Sequence, residues 1–242
     1  KITIPTSRVS VRWRSSSTTG RRSWLGRRFP VKILVTAGPT REPIDPVRFI
    51  SNRSSGKMGY ALARVAAGMG HEVRLVSGPV CLAAPENVRV FNVLTAEEML
   101  AAVTANMKWC HVLIMAAAVC DWRPVKVSRT KIKKTGEVPS IAIEQTPDIL
   151  TTVSARKGRR VIVGFAAETG DPIAEAARKL SAKKLDLIVA NDVSRADAGF
   201  ETDTNRVSLL DCAGVVRHLP LMSKDAVAGK IISWIEQTRS TV

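Results

Sequence analysis

Short, mostly apolar runs rich in β-branched residues recur along this chain, and most of them are followed by a segment with helical spacing. The runs predict buried strands at Val31–Thr36, Glu72–Ser77, Val88–Val93, His111–Ala116, Val161–Phe165 and Leu185–Ala190. A strand that is apolar on both faces must be covered on both sides, which is the pattern of a parallel sheet between two layers of helices. We therefore predict an α/β chain with a Rossmann-like three-layer fold and a mostly parallel central sheet.

Helices and short antiparallel elements complete the predicted fold. The helices are expected over Lys57–Met69, stopped by Gly70, from a cap at Thr95 with Glu98, from Pro147, over Pro172–Lys184, and from Ser223 to about Gln237. Asp203–Leu210 and Val215–Leu219 predict a small antiparallel hairpin that turns at Ala213-Gly214. The polar segment Asp121–Pro139 interrupts the alternation and predicts a flap, followed by an exposed strand at Ile141–Glu144.

The net charge of +16 is spread unevenly along the 242 residues. Residues 1–30 hold eight Lys and Arg side chains and no acid, which predicts a separate leader ahead of one domain at 31–242. We expect this leader to be a disordered tail or a wrongly assigned start of translation; a transit peptide, which its composition resembles, and a linker from a fused domain are the alternatives. The remaining charge suits an anionic small molecule as well as it suits nucleic acid.

The cysteines and histidines predict no zinc site, because none of the four cysteines forms a CxxC pair and the three histidines are scattered. Reduced cysteines are typical of cytoplasmic proteins, which is where we expect this one. No apolar run approaches the roughly 20 residues of a membrane span, so no membrane partner is expected.

The segment from Gly38 to Gly59 follows the first predicted strand and opens the first predicted helix. Its small residues let backbone N–H groups approach an anion, while Ser54, Ser55 and Lys57 add donors and charge. The segment is not a Walker A loop, because Met58 stands where Ser or Thr is needed. Its glycines also come too late for a dinucleotide fingerprint. A phosphate-binding loop of another kind is predicted, with a glycine-rich turn that binds nothing as the alternative.

Polar residues also follow the later strands. Asp121 ends the fourth strand and could accept from a ribose, hold Mg²⁺, or cap a turn. Lys131–Lys134 could close over a nucleotide and stabilise charge on its phosphates, or form a solvated surface. Phe165 could stack on a base, with Lys179 and Lys183 on one face of the next helix.

Four segments, in this order along the chain, resemble one known family. They are Thr36–Gly59, Lys131–Lys134, Val163–Thr169 and Leu185–Val193. The chain resembles the phosphopantothenate–cysteine ligase domain of coenzyme A biosynthesis over residues 31–242. The resemblance implies a ligase that joins 4′-phosphopantothenate to L-cysteine through an acyl-nucleotide intermediate. Bacterial-type motifs favour CTP with Mg²⁺, giving an acyl-cytidylate, CMP and pyrophosphate, whereas eukaryotic members use ATP.

The resemblance also implies roles for individual residues. Asn52 and Lys131 would be catalytic, and both would bind the substrate together with Ala117. With the loop residues derived above, the nucleotide-binding set is Gly38, Thr40, Ser54, Ser55, Gly56, Lys57, Met115, Ala116, Ala117, Asp121, Gln145, Thr146, Pro147, Asp148, Phe165, Lys179 and Lys183. No metal ligand is assigned. Thr146 stands where the family often has Asn, which puts one side-chain contact to the nucleotide in question.

The resemblance further implies a homodimer and a separate phosphopantothenoylcysteine decarboxylase as a partner, with no flavin in this chain. Two other classes stay open on the residues alone. A nicotinamide-dependent oxidoreductase would need its glycines nearer the first strand, and a nucleic-acid-binding protein would explain the charge but is not expected.

Overall fold

A computed structural model describes residues 30–134, 140–168, 172–192 and 202–240. The predicted basic leader at 1–30 lies outside the described residues except for Pro30, and so do residues 135–139 of the predicted flap. Within the described residues, every helix is too short or too polar to span a lipid bilayer.

The described chain contains fourteen strands and five helices. The strands are β1 Lys32–Ala37, β2 Arg41–Pro43, β3 Phe49–Ser51, β4 Glu72–Ser77, β5 Val88–Asn92, β6 Val112–Met115, β7 Trp122–Pro124, β8 Ile143–Gln145, β9 Val161–Glu168, β10 Leu187–Asp192, β11 Thr204–Asn205, β12 Val207–Asp211, β13 Val216–His218 and β14 Met222–Ser223. The helices are α1 Lys57–Gly68, α2 Ala96–Met107, α3 Ile149–Ser154, α4 Pro172–Ala182 and α5 Lys224–Ser240.

Eight strands form the central sheet in the order β13-β12-β10-β9-β6-β1-β4-β5. The six from β10 to β5 are parallel, and they correspond to the six predicted strands. Numbered along the chain, these six strands lie in the order 3-2-1-4-5-6, which is the doubly wound Rossmann arrangement. The predicted fold class is therefore confirmed. Strand order reverses between β1 and β6, and this reversal opens a crevice at their carboxyl ends.

Helices cover both faces of the sheet, as the apolar strands require. On one face α1 and α5 pack against alternate residues of β1, with Leu62 and Ile231 among the buried contacts. On the other face α2, α3 and α4 pack around Met99 and Ile149. The two helical layers matter for the site, because the crevice runs across the sheet edge from one layer to the other.

The first helix approaches β1 closely because it carries a glycine at the contact. A Cβ at Gly59 would lie 2.4 Å from the Cβ of Ala37 and 2.8 Å from the carbonyl oxygen of Thr36. Real Cβ atoms do not come this close, so only glycine permits the spacing. The contact fixes the start of α1 against the end of β1.

Three local predictions need correction. The expected strand Asp203–Leu210 is two strands, because β11 pairs with β14 whereas β12 joins the central sheet against β10. Pro147 does not begin a helix; Asp148 is the N-cap and accepts from the backbone of Thr151 at 2.9 Å. The predicted hairpin exists as β12 and β13, but it extends the central sheet instead of standing apart.

Candidate functional site

A cleft of about 650 Å³ opens at the carboxyl ends of β1, β6, β9 and β10. It crosses the point where the strand order reverses, which is where open α/β sheets bind ligands. Fifteen of the predicted site residues line it: Asn52, Ser54, Gly56, Lys57, Met115, Ala116, Ala117, Asp121, Gln145, Thr146, Pro147, Asp148, Phe165, Lys179 and Lys183.

The start of α1 is built to receive an anion. Gly56 is the N-cap, with φ 76°, and glycine has no side chain that could cap the first-turn N–H groups. The first turn holds no acidic residue, so the positive end of the helix dipole is not neutralised there. Lys57, Met58 and Gly59 all line the cleft. The loop thus offers backbone donors and a lysine to a phosphate group.

Two predicted residues, Gly38 and Thr40, help to fix the conformation of this region without lining the cleft. Gly38 also has φ 76°, and its Cα lies 3.3 Å from where a Cβ of Gly56 would stand. Both positions favour glycine because their φ is in the left-handed region. Thr40 is fully buried, and its hydroxyl accepts from the backbone N–H of Cys120 at 2.9 Å. Neither residue lines the cleft, so a direct nucleotide contact by either one stays a prediction.

Asn52 is held by the segment that follows β6. Its side-chain nitrogen donates to the carbonyl oxygens of Ala118, at 3.3 Å, and Val119, at 2.9 Å. These two bonds engage the amide nitrogen, so the amide oxygen is the atom that can accept from a ligand in the cleft. An acceptor fixed at the junction of the phosphate loop and β6 suits a substrate amine or hydroxyl.

The segment after β6 is held by hydrogen bonds to Thr36 of β1 and to Thr146. The hydroxyl of Thr36 accepts from the N–H of Ala117 at 3.1 Å. Thr146 donates its hydroxyl to the carbonyl of Cys120, and its N–H donates to the carbonyl of Asp121 at 3.0 Å. The Thr146 side chain therefore joins two chain segments. Because the Thr146 hydroxyl proton is already donated to Cys120, a base bound against Gln145–Asp148 would contact other groups of that stretch.

A charged cluster lies on the α3 and α4 side of the cleft. The Lys183 amino group lies 3.0 Å from the Asp148 carboxylate. Burial raises the pKa of Asp148, but hydrogen bonds from Thr151 and Lys183 outweigh it, so the pKa of Asp148 is lowered. Lys179 lies 3.7 Å from Glu175 one turn earlier. Phe165 also lines the cleft, as a partly buried ring packed on the core of the α1 and α5 face.

Two further predicted residues lie outside the cleft. Ser55 lines a neighbouring hollow of about 480 Å³ that shares Asn52, Ser54 and Lys57 with the cleft. Lys131 is exposed and follows the polar segment after β7. A contact between either side chain and the nucleotide stays a prediction.

The segment that carries Lys131 is anchored at one buried acid, Asp45. Its carboxylate accepts from the N–H of Ile132 at 3.1 Å and from the N–H groups of Val47 and Arg48 at 2.8 and 2.9 Å. The Arg48 guanidinium pairs with the same carboxylate and also donates to the carbonyl of Ile132 at 3.1 Å. This arginine, with the backbone donors, holds the pKa of Asp45 well below its usual range against the effect of burial.

Sequence reasoning missed several residues of the lining, among them Trp122, Asn205 and Lys224. Trp122 is 46% exposed despite its size. Asn191, which follows the predicted strand Leu185–Ala190 and was expected to read the polar edges of a base or ribose, does line the cleft. Asn205 and Lys224 gave no signal, since they belong to short edge elements whose partners cannot be read from a local pattern.

The described residues hold no group of three or more His, Cys, Asp or Glu side chains placed to bind a metal ion. Mg²⁺ usually keeps several waters and uses one or two carboxylates together with substrate phosphates. Asp121, exposed on the cleft wall, suits that kind of shared site.

Residues 30–238 match the model of one protein family, the DNA/pantothenate metabolism flavoprotein C-terminal domain. The chain belongs to this family. The match covers every described strand and all of the described helices except the last residues of α5, so the cleft lies within the matched region.

Curated relatives carry the same domain as part of a longer protein. The chain is 49% identical over 207 residues to the coenzyme A biosynthesis bifunctional protein CoaBC of Vibrio vulnificus strain YJ016, covering 84% of this chain and 51% of that protein. It is 46% identical over 204 residues to the protein of the same name from Bacillus subtilis strain 168, covering 84% and 50%. The chain thus spans about half the length of the relatives it matches.

Solved structures of this domain family agree in fold. The crystal structure of the C-terminal domain of a CoaBC protein superposes with a TM-score of 0.76 at 42% identity, covering 88% of this chain and 97% of that one. A DNA/pantothenate metabolism flavoprotein from Streptococcus pneumoniae has the same fold at 24% identity, with a TM-score of 0.75 and coverage of 86% and 99%.

Proposed function

We propose that this domain is a phosphopantothenate–cysteine ligase that acts in coenzyme A biosynthesis. The observation that carries the proposal is the cleft, which brings a phosphate-binding helix start, a fixed amide acceptor and a charged cluster to one crevice. The relatives named for coenzyme A biosynthesis support the pathway. The proposed reaction joins 4′-phosphopantothenate to L-cysteine and consumes CTP.

The chemistry requires a nucleotide and a carboxylate to meet at one place. A carboxylate is a poor electrophile, so one of its oxygens first bonds to the α-phosphorus of CTP, and pyrophosphate leaves. The cysteine amine then attacks the acyl carbon of the acyl-cytidylate, forms the amide, loses a proton and releases CMP. Bringing the reactants into one cleft supplies much of the rate enhancement through orientation.

Asn52 and Lys131 are the residues we propose to act on the reacting groups. Asn52 lines the cleft, and its amide oxygen can accept from the cysteine amine or orient the acyl group. Lys131 would stabilise negative charge on the phosphates, which needs its segment to approach the cleft. Mg²⁺, shared between the phosphates and Asp121, would neutralise charge on the nucleotide.

We further propose that the chain forms a homodimer through the two hairpins beside the cleft. The β2–β3 and β7–β8 hairpins lie together, since the N–H of Ser128 donates to the carbonyl of Ile44 at 2.9 Å. Large apolar side chains there are between 38% and 59% exposed: Val47, Phe49, Trp122, Val125, Val127, Ile132, Ile141 and Ile143. A patch of this kind typically marks a protein interface. Sedimentation of wild type and Val125→Glu would test it, with a monomeric wild type opposing the proposal.

A coupled assay of pyrophosphate release tests the ligase. Release should require both 4′-phosphopantothenate and CTP, the amide product should require cysteine, and ATP run side by side should be the poorer substrate. Asn52→Ala and Lys131→Ala should each reduce kcat at least about 100-fold, the usual cost of one transition-state contact. Lys126→Ala, an exposed lysine of the same segment, is the matched control.

The outcomes separate the proposal from its alternatives. Unchanged turnover in both variants would refute the site assignment, and no turnover by the wild type would refute the ligase. Tight NADH binding without CTP binding would favour an oxidoreductase. Binding of RNA or DNA that falls steeply with salt, and persists without residues 1–30, would favour a nucleic-acid-binding domain.

A further inference from the structure

One buried carboxylate joins the turn between β2 and β3 to the segment that carries Lys131. The side chain of Asp45 is fully buried, which is rare for aspartate unless it is paired. Its two oxygens have different partners. Oδ1 accepts from the N–H groups of Val47 and Arg48, at 2.8 and 2.9 Å, and so shapes the turn to which Asp45 itself belongs. Oδ2 accepts from the N–H of Ile132, 87 residues later in the chain, at 3.1 Å.

Arg48 completes the link between the two segments. Its guanidinium donates to Oδ2 of Asp45 through Nε, at 3.0 Å, and pairs with the same carboxylate through Nη2. Nη2 also donates to the carbonyl oxygen of Ile132 at 3.1 Å. Both backbone polar groups of Ile132 are therefore bound, one by a carboxylate and one by a guanidinium. Hydrogen bonds to ionised groups are stronger than bonds between neutral groups, so this link holds Ile132 even though its side chain is 38% exposed.

The N–H that Asp45 binds belongs to the peptide group between Lys131 and Ile132. Because a peptide group is planar, holding its N–H also sets the direction in which the chain leaves the Cα of Lys131. The other end of the same segment is fixed as well, since the N–H of Ser128 donates to the carbonyl oxygen of Ile44 at 2.9 Å. Lys131 thus lies in a short stretch between two fixed points, and its exposed side chain extends from a set backbone position.

We propose that Asp45 is a positioning residue for the reaction, because it fixes the backbone from which Lys131 extends. The inference rests on the proposed ligase function and on the proposed role of Lys131 in it. A side chain that must meet developing charge acts best when little of its conformational freedom remains to be lost in the transition state. Asp45 does not line the cleft, so its effect on the reaction passes through Lys131.

Asp45→Asn separates the link from the turn. The amide oxygen of Asn can still accept from Val47 and Arg48, whereas its NH₂ group, which takes the place of Oδ2, cannot accept from Ile132. In the coupled assay kcat should fall about 10- to 100-fold, the cost of a misplaced reacting group. The KM for CTP should change less than about threefold, because no contact to the bound nucleotide is removed.

The same replacement in the Lys131→Ala background distinguishes positioning from general damage. A residue that acts through Lys131 has nothing left to position there, so Asp45→Asn should lower kcat by less than about a further twofold. Asn106→Ala is the matched control for loss of a buried polar group. Asn106 is 5% exposed, accepts from Arg74 at 2.7 Å and does not line the cleft. This variant should keep the wild-type kcat at temperatures where circular dichroism shows it folded.

Limited digestion of the full chain by trypsin tests the link without an assay of the reaction. Trypsin cleaves after lysine and arginine, so it cuts the peptide bond between Lys131 and Ile132, and mass spectrometry identifies the product that begins at Ile132. Loss of a hydrogen bond to a charged group should raise local opening, and with it this cleavage rate, about tenfold in Asp45→Asn. The bond between Lys126 and Val127, also exposed, should be cut at an unchanged rate.

Three results would overturn the inference: a folded Asp45→Asn protein with the wild-type kcat or a higher one, an equal loss of kcat with and without Lys131, or unchanged cleavage after Lys131. If the wild type makes product and Lys131→Ala impairs it while any of these holds, the positioning role fails and the ligase proposal stands. If the wild type makes no product, the ligase proposal fails and the positioning role fails with it, even where the cleavage rates show that Asp45 holds this segment.

Discussion

Replacing Gly59 by Ala should destabilise this protein even though alanine is the better helix former. Gly59 is the third residue of α1 and lies against the end of β1. An added Cβ would meet the Cβ of Ala37 at 2.4 Å, whereas ordinary contact begins at 3.4 Å. The helix and the strand would therefore have to separate by about 1 Å in a tightly packed interior.

The two opposing terms can be estimated. Alanine gains about 1 kcal/mol over glycine inside a helix. Overpacking a core costs about 1–3 kcal/mol, and the upper end applies here because the backbone oxygen of Thr36 is also met, at 2.8 Å. The net loss is about 2 kcal/mol. For a domain of this size that loss lowers Tm by about 4–8 °C.

Gly68 is the matched control, because it lies in the same helix and no atom lies within 4 Å of the Cβ it would gain. Gly68→Ala should leave stability unchanged or raise it by up to about 1 kcal/mol. Urea unfolding of both variants measures the difference, and CTP titration of Gly59→Ala should show weaker binding because the start of α1 moves. A Gly59→Ala protein as stable as Gly68→Ala would refute the close-contact argument.

Two further predictions concern buried polar groups near the site. Thr40→Val leaves the N–H of Cys120 without its acceptor and should cost about 1–3 kcal/mol in urea unfolding. Thr40→Ser, which keeps the hydroxyl, should cost about 1 kcal/mol for the lost methyl group, and a larger loss in Ser than in Val would contradict this. Because Arg48 lowers the pKa of Asp45 in the folded state, the ionised form stabilises the fold above the unfolded pKa of about 4. The stability difference between wild type and Asp45→Asn should therefore be constant above about pH 5 and shrink as the pH falls below 4, and a pH-independent difference in urea midpoints would count against it.

The long parallel strands could be predicted from the sequence because their burial depends on composition. Glu72–Ser77 has the predicted bounds, because Val73, Leu75 and Val76 give it the apolar content that burial between two helical layers requires. Asp203–Leu210 was predicted as one strand and is two, because a local pattern does not show which partner each half takes. Arg41–Pro43 and Phe49–Ser51 were not predicted at all, since three-residue strands carry too short a period to detect.

The same distinction explains which site residues could be found. Asp121 follows β6, Phe165 lies in β9, and Asn52 lies in the segment between β1 and α1. The carboxyl ends of parallel strands share one edge, so sequence position places all three near that edge. Lys224 enters the cleft from the start of α5, which reaches this edge only because α5 packs beside α1 on the same face of the sheet. Lys224 and Lys57 are more than 150 residues apart in the sequence, so only tertiary packing brings α5 and α1 together. The position of the Lys224 charge near the phosphate loop is therefore determined by the packing of α5 on α1 and not by the loop motif itself.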